Sequence, residues 1–312
     1  MSTTATRRAW WTKISAAVAG LLVVTGVVAS CGLSGTGLQI GSTNFTESRI
    51  LANMYLLVLE NAGVDAQVKE LTTREIVEPA LESGQLQITP DYLGTFTEFL
   101  NAKVNGPNAT PVASSDVEST LKAGRALAEP RGLSILTPAA AQDQNAFAVT
   151  TQYAKKHNLK TLSQMGTFSQ RNSVVLGAGA ECPTRPACEP GLKKTYGIKF
   201  ASFVSLDSGG PLTVQALLQD KIQLGLVFSS SGSVAAYNLV LLDDDKKLQT
   251  ADNVVPVVNT KALTPTIRTA LDGISAKLKT QDLQELNAEV DLQRKDPREV
   301  AKTWLQQQGL LR

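Results

Sequence analysis

The residue types that could carry out a reaction are few: one histidine, His157, and three cysteines in 312 residues. Nucleophilic catalysis needs a base poised beside its nucleophile, and a single histidine restricts that chemistry severely. His157 stands in Ala154-Lys155-Lys156-His157-Asn158, at the end of a helical pattern. The helix dipole favours a solvated cation there, which is the role expected of it. Gly177-Ala178-Gly179 follows an apolar run as a dinucleotide fingerprint would, yet Cys182-Pro183 stand where the third glycine and the helix start should be. Asp243, Asp244 and Asp245 form a run that reads as a solvated turn rather than an acid/base pair. The expectation is a protein without catalytic residues, resident metal or cofactor.

The first thirty residues read as an export leader. Arg7, Arg8 and Lys13 precede an uncharged apolar stretch from Ile14 to Val28, which is a signal-peptide layout and too short to span a bilayer. Val28-Ala29-Ser30-Cys31 resembles a bacterial lipobox, in which the cysteine is acylated and becomes the new N-terminus. Residues 31–37 then form a Gly/Ser/Thr tether. This predicts a protein lipid-anchored at the outer face of the cytoplasmic membrane. With Cys31 used in this way, Cys182 and Cys188 remain as a pair, for which an oxidising exterior favours a disulfide. Zinc is the alternative, but the five-residue gap is not a Cys-x-x-Cys knuckle and His157 is distant. The formal charge is +2. Removing the three leader cations leaves −1, with no basic stripe to suit a nucleic acid.

From Leu38 short apolar runs alternate with helical patterns, which predicts α/β architecture with mainly parallel strands. Strands are expected at 38–41, 64–71, 86–89, 133–136, 146–150, 173–176, 200–206, 222–228, 239–242 and 254–258. Asn44-Phe45-Thr46-Glu47 has the form of a capping box, as does Ser115-Asp116-Val117-Glu118. Other helices are expected at 74–83, 153–157 and 212–218 and throughout the C-terminal part. There Asp296-Pro297-Arg298-Glu299 places cap, N1 proline and N3 glutamate in order.

Five segments in sequence order are similar to the glycine betaine/carnitine/choline-binding proteins of ABC importers, the ProX or OpuAC-like family. They are Ile40 to Glu47 (IGSTNFTE), Pro90 to Thr95 (PDYLGT), Asp143-Gln144-Asn145, Leu206 to Leu212 (LDSGGPL) and Gly225 to Ser229 (GLVFS). The resemblance implies a type II periplasmic-binding-protein fold. Its first lobe is expected at 38–143 plus 245–312 and its second at 144–244, with two hinge crossings and a cleft at the strands' carboxyl ends. It also implies ligand contacts from Ser42, Thr43, Asn44, Tyr92, Thr95, Asp143, Asn145, Asp207, Phe228, Ser229 and Ser231. Tyr92 and Phe228 are the expected rings for a quaternary ammonium, which ring faces hold because it has no hydrogen to donate. Thr43 replaces the family's early lysine, and Lys246 to Thr250 replaces an aromatic, proline-rich stretch. A hydroxyl-rich or aromatic ligand is therefore the alternative, and a ligand-sensing receptor subunit would share every motif. The expected partners are a small molecule, an ABC permease and its ATPase, and a membrane through the lipid anchor. A monomer that binds no nucleic acid is expected.

Overall fold

The structure is a computed structural model and describes residues 37–207 and 209–311. The predicted leader (1–30), Cys31 and all of the tether except Gly37 lie outside the described residues.

The chain begins with β1 (Leu38–Ser42), α1 (Thr46–Asn61), β2 (Ala66–Glu70), α2 (Arg74–Glu82), β3 (Ile88–Tyr92), α3 (Leu93–Asn105), α4 (Val117–Ala128) and β4 (Leu133–Ile135). It continues with β5 (Asn145–Thr150), α5 (Thr151–His157), α6 (Leu162–Phe168), β6 (Val175–Gly179), α7 (Glu189–Tyr196), β7 (Ser202–Leu206), α8 (Pro211–Leu218), β8 (Leu224–Phe228), α9 (Gly232–Ala236) and β9 (Leu239–Leu242). It closes with β10 (Val254–Asn259), α10 (Pro265–Ser275), α11 (Thr280–Asp291) and α12 (Pro297–Gln307). Two sheets result, in the orders β2-β1-β3-β10-β4 and β7-β6-β8-β5-β9. Each is mixed: β1, β2 and β3 are parallel, as are β6, β7 and β8, while β10 and β5 run against their neighbours.

The two-residue side-chain period of a strand explains how each sheet is buried on both faces. In β10, Val254 and Val258 pack with Ile40, Ile88 and the helix α1, whereas Val255 and Val257 pack on the other face with Leu86, Leu133 and Phe96. In the second sheet Phe147 and Val149 face a cluster with Leu176 and Leu224, and Ala148 faces Val214 and Val227. Cys182 and Cys188 lie in that first cluster and are joined as a disulfide. The bond uses both sulfurs and excludes a zinc site there.

Residues 136–144 leave the first sheet for the second and residues 243–253 return. These two crossings lie side by side: Gln142 bridges Asn253, the Asp143 N–H donates to the Asp252 carbonyl at 3.0 Å, and the Val254 N–H donates to that of Ala141 at 2.9 Å.

Several local expectations are corrected. The helix after β1 starts at Thr46 behind Phe45 with no side-chain cap, so Asn44-to-Glu47 is not a capping box. Asn44 is exposed and Glu47 buried. The third strand, expected at 86–89, runs on through Pro90-Asp91-Tyr92 and passes directly into α3. Asp244 is no solvated turn residue, because it accepts hydrogen bonds from the Tyr196 hydroxyl and from the Leu248 and Gln249 N–H groups. His157 is likewise not fully solvated. Its ring packs 4.6 Å from Tyr153 and 4.7 Å from Phe168, centroid to centroid.

Candidate functional site

The ends of β1 and β3 and the start of α2 surround a cavity of about 260 Å³ lined by Thr43, Phe45, Arg74, Asp91 and Tyr92. Burial of Ile40 and Ile88 inside the sheet fixes where these strand ends point. The Arg74 guanidinium meets Asp91 with Nη2 to Oδ1 at 2.5 Å and also donates to Thr95 Oγ1 at 3.0 Å. Asp91 is buried, so this ion pair is a fixed part of the wall. Phe45 and Tyr92 stack with centroids 6.3 Å apart and ring planes 29° apart.

A second cavity, of about 470 Å³, lies between Phe45 and Phe228 and includes Glu47, Asp143, Ser230 and Asn287. Phe45 thus borders both spaces. It is 43 % exposed and Phe228 42 %, unusual values for phenylalanine, and both line one volume, Phe45 from the turn after β1 and Phe228 from the end of β8. Glu47, on the first turn of α1, accepts from the Tyr92 hydroxyl at 2.6 Å and from Asn287 Nδ2 at 2.6 Å. Burial raises its carboxyl above the ordinary range, with Asp291 adding to the effect and the donors from Tyr92, Asn287 and Ser230 offsetting part of it. Asp143 accepts from the Ser230 hydroxyl at 2.8 Å. Burial, and then the nearby Glu47, push its pKa up to about 7. Asp252 behind it is raised to about 6, chiefly by burial, although the Thr95 N–H and Arg74 pull the other way. Among the described residues no lysine or arginine lines this second cavity.

The predicted site residues divide among several places. Thr43 and Tyr92 line the first cavity; Asp143, Phe228 and Ser231 line the second. Asn145 and Ser229 border a third, of about 380 Å³, beside the crossings. Ser229 braces that region: its hydroxyl donates to the Gln142 carbonyl at 2.9 Å and accepts from the Gln144 N–H at 3.0 Å. Ser42 is fully buried, with its hydroxyl on the Thr43 carbonyl. Thr95 is exposed on α3, where its N–H donates to Asp252 at 2.9 Å. Asp207 caps α8 by accepting from the Leu212 and Thr213 N–H groups, both at 2.9 Å. Ser231 caps α9 by accepting from Ser233.

Phe45, Glu47, Arg74 and Asn287 line these cavities without standing among the residues expected there. Phe45 and Glu47 lie within the segment IGSTNFTE, where the pattern of a helix cap hides their place in the cavity wall. Asn287 carried no signal, since a polar residue within an amphipathic helix is ordinarily solvated.

Two α/β lobes, two adjacent crossings and polar-aromatic cavities at strand ends define a solute-binding protein. The comparisons give the particular family. Residues 36–307 match the OpuAC family, described as the substrate binding domain of ABC-type glycine betaine transport systems, and the chain belongs to it. It is 31 % identical over 300 residues to the glycine betaine-binding protein YehZ of Escherichia coli, covering 93 % of this chain and 97 % of that one. It is 28 % identical to the carnitine transport binding protein OpuCC of Listeria monocytogenes, covering 92 % and 93 %. The solved structure of apo YehZ from Escherichia coli superposes with a TM-score of 0.78 at 29 % identity, covering 88 % of this chain and 99 % of that one. The chain is therefore an extracytoplasmic substrate-binding component of an ABC transport system, as its relatives are.

Proposed function

We propose that this protein captures a quaternary amine of the glycine betaine, choline or carnitine class. It does so between a lobe formed by residues 38–143 with 245–312 and one formed by 144–244, closing about the crossings and presenting the ligand to a permease and its ATPase. In the same reading it acts as a monomer held to the outer face of the cytoplasmic membrane through lipid on Cys31.

The observation that carries the ligand class is the Phe45–Phe228 cavity, where two exposed rings and three carboxylates, Glu47, Asp143 and Asp291, converge with no lysine or arginine among the described lining residues. A quaternary ammonium needs that combination: ring faces worth about 0.5–2 kcal/mol each, and negative charge, with no hydrogen to donate. Tyr92 adds the ring stacked on Phe45, while its hydroxyl is occupied by Glu47.

Isothermal titration of the mature protein with glycine betaine, choline and carnitine tests the reading, and micromolar binding to at least one is expected. Phe228→Ala should weaken that binding about tenfold, from the loss of a single ring. An unchanged affinity in Phe228→Ala, or no binding to any of the three, would overturn it.

A further inference from the structure

The carboxylates of the Phe45–Phe228 cavity are short of donors. The Ser230 hydroxyl has one hydrogen and faces both Glu47 and Asp143; it is directed at Asp143 at 2.8 Å. Glu47 has the Tyr92 hydroxyl and Asn287 Nδ2, and neither of these is a cation. Asp291, at the end of α11, lines the same volume and accepts from Thr46. From the crossings Asp252 faces Asp143, and beyond it Arg74 is committed to Asp91. The polar groups acting on Glu47 and Asp143 are thus carboxylates, hydroxyls and an amide, and the Arg74 guanidinium beyond Asp252 is paired with Asp91.

Asn287 is a fixed part of the same wall. It is 5 % exposed and lines the cavity. Its Nδ2 donates to Glu47 and to the Ser230 carbonyl, which fixes the amide orientation because both partners are acceptors. Its Oδ1 accepts from no described residue.

We propose that capture of a cation in this cavity expels one proton held between Glu47 and Asp143, so that binding tightens as pH rises. The inference rests on the quaternary-amine reading and adds that the ligand competes with a proton. In the empty protein two close, buried carboxylates cannot both ionise without a strong penalty, and one retains its proton. A quaternary ammonium between Phe45 and Phe228 supplies the missing positive charge, the acid loses its proton to solvent, and both carboxylates become anions. The raised values of Asp143, at about 7, and of Glu47 are in accord with a proton held in the physiological range.

The sign follows from linkage. Below the pKa of the empty protein the ligand must displace a proton, and above it no displacement is needed. One expelled proton makes the apparent Kd fall by up to about tenfold per pH unit between roughly pH 5 and 7, then level off. The test is titration calorimetry of the wild-type protein with choline, glycine betaine and carnitine at pH 5.5, 6.5, 7.5 and 8.5. Each is run in two buffers of different ionisation enthalpy, so that proton release is read directly. The expected result is buffer-dependent heat at pH 6.5 and a Kd at 5.5 at least tenfold weaker than at 7.5. Asp143→Asn should remove most of that slope, whatever its effect on affinity itself. Binding with the same Kd at 5.5 and 7.5 and no buffer dependence overturns the proton linkage and leaves the ligand class standing. Absence of binding by all three ligands at every pH overturns both.

Discussion

Gly232→Ala tests the packing of the two lobes most directly. Gly232 opens α9, and its φ lies outside the positive range, so backbone conformation does not demand glycine. A Cβ built there would lie 2.5 Å from Ala288 N, 2.7 Å from Ala288 Cα and 2.9 Å from the Asn287 carbonyl carbon, all backbone atoms of α11. Ordinary carbon contacts begin near 3.5 Å, so α9 and α11 would have to separate by about 1 Å. Two hydrogen bonds span the same seam, from Gln284 Nε2 to the Ser229 carbonyl at 2.7 Å and from Asn287 Nδ2 to the Ser230 carbonyl at 2.9 Å. Overpacking costs about 1–3 kcal/mol, and each hydrogen bond lost adds about 1 kcal/mol. Replacing glycine by alanine in a helix returns at most about 1 kcal/mol. The net expectation is a loss of about 2–4 kcal/mol, read by urea denaturation at constant m-value. Gly273→Ala is the control: inside α10 its Cβ would meet only Leu310 Cδ2 at 3.6 Å, and a small gain is expected. If Gly232→Ala proves as stable as the parent, the close approach of α9 and α11 is refuted.

Two further outcomes follow from the same geometry. Asp207→Ala removes the cap of α8 and should lower stability by about 1–2 kcal/mol while leaving quaternary-amine affinity within twofold; a tenfold loss of affinity would place this carboxylate on the ligand instead. Asp143, at about 7, and Asp252, at about 6, hold protons more tightly in the folded chain than an unfolded aspartate does near 4. Their contribution to stability is therefore full below about pH 4 and is lost progressively until pH passes 6 to 7, so the unliganded protein should melt higher at pH 5.5 than at pH 8. A higher melting temperature at pH 8 would show that these carboxylates are not buried as described.

Elements with their own local signals were legible along the chain. Asp296 caps α12 by accepting from the Arg298 and Glu299 N–H groups, as the Asp-Pro-Arg-Glu order indicates. β9 occupies the apolar run Leu239–Leu242 unchanged. By contrast α3 begins at Leu93 with Gly94, Thr95 and Thr97 in its first turns, poor helix formers that hide it. Gly94 is there because the returning crossing comes so near that a Cβ would lie 2.8 Å from the Ala251 carbonyl oxygen. That requirement arises from a segment more than 150 residues away and leaves no local pattern.

The order of apolar runs, caps and motifs determined the α/β class, two of the cavity aromatics and the transport family, because periodicity and motif spacing are properties of neighbouring residues. Only the tertiary structure decided that Glu47, Asp143, Ser230 and Asn287 share one volume. They come from α1, a crossing, the segment before α9, and α11, four segments spread across some 240 positions of chain. Whether a carboxylate there is a helix cap or a buried counter-ion depends on which donors and cations the other segments bring. That is a matter of charge and burial in three dimensions, which spacing along the chain does not encode.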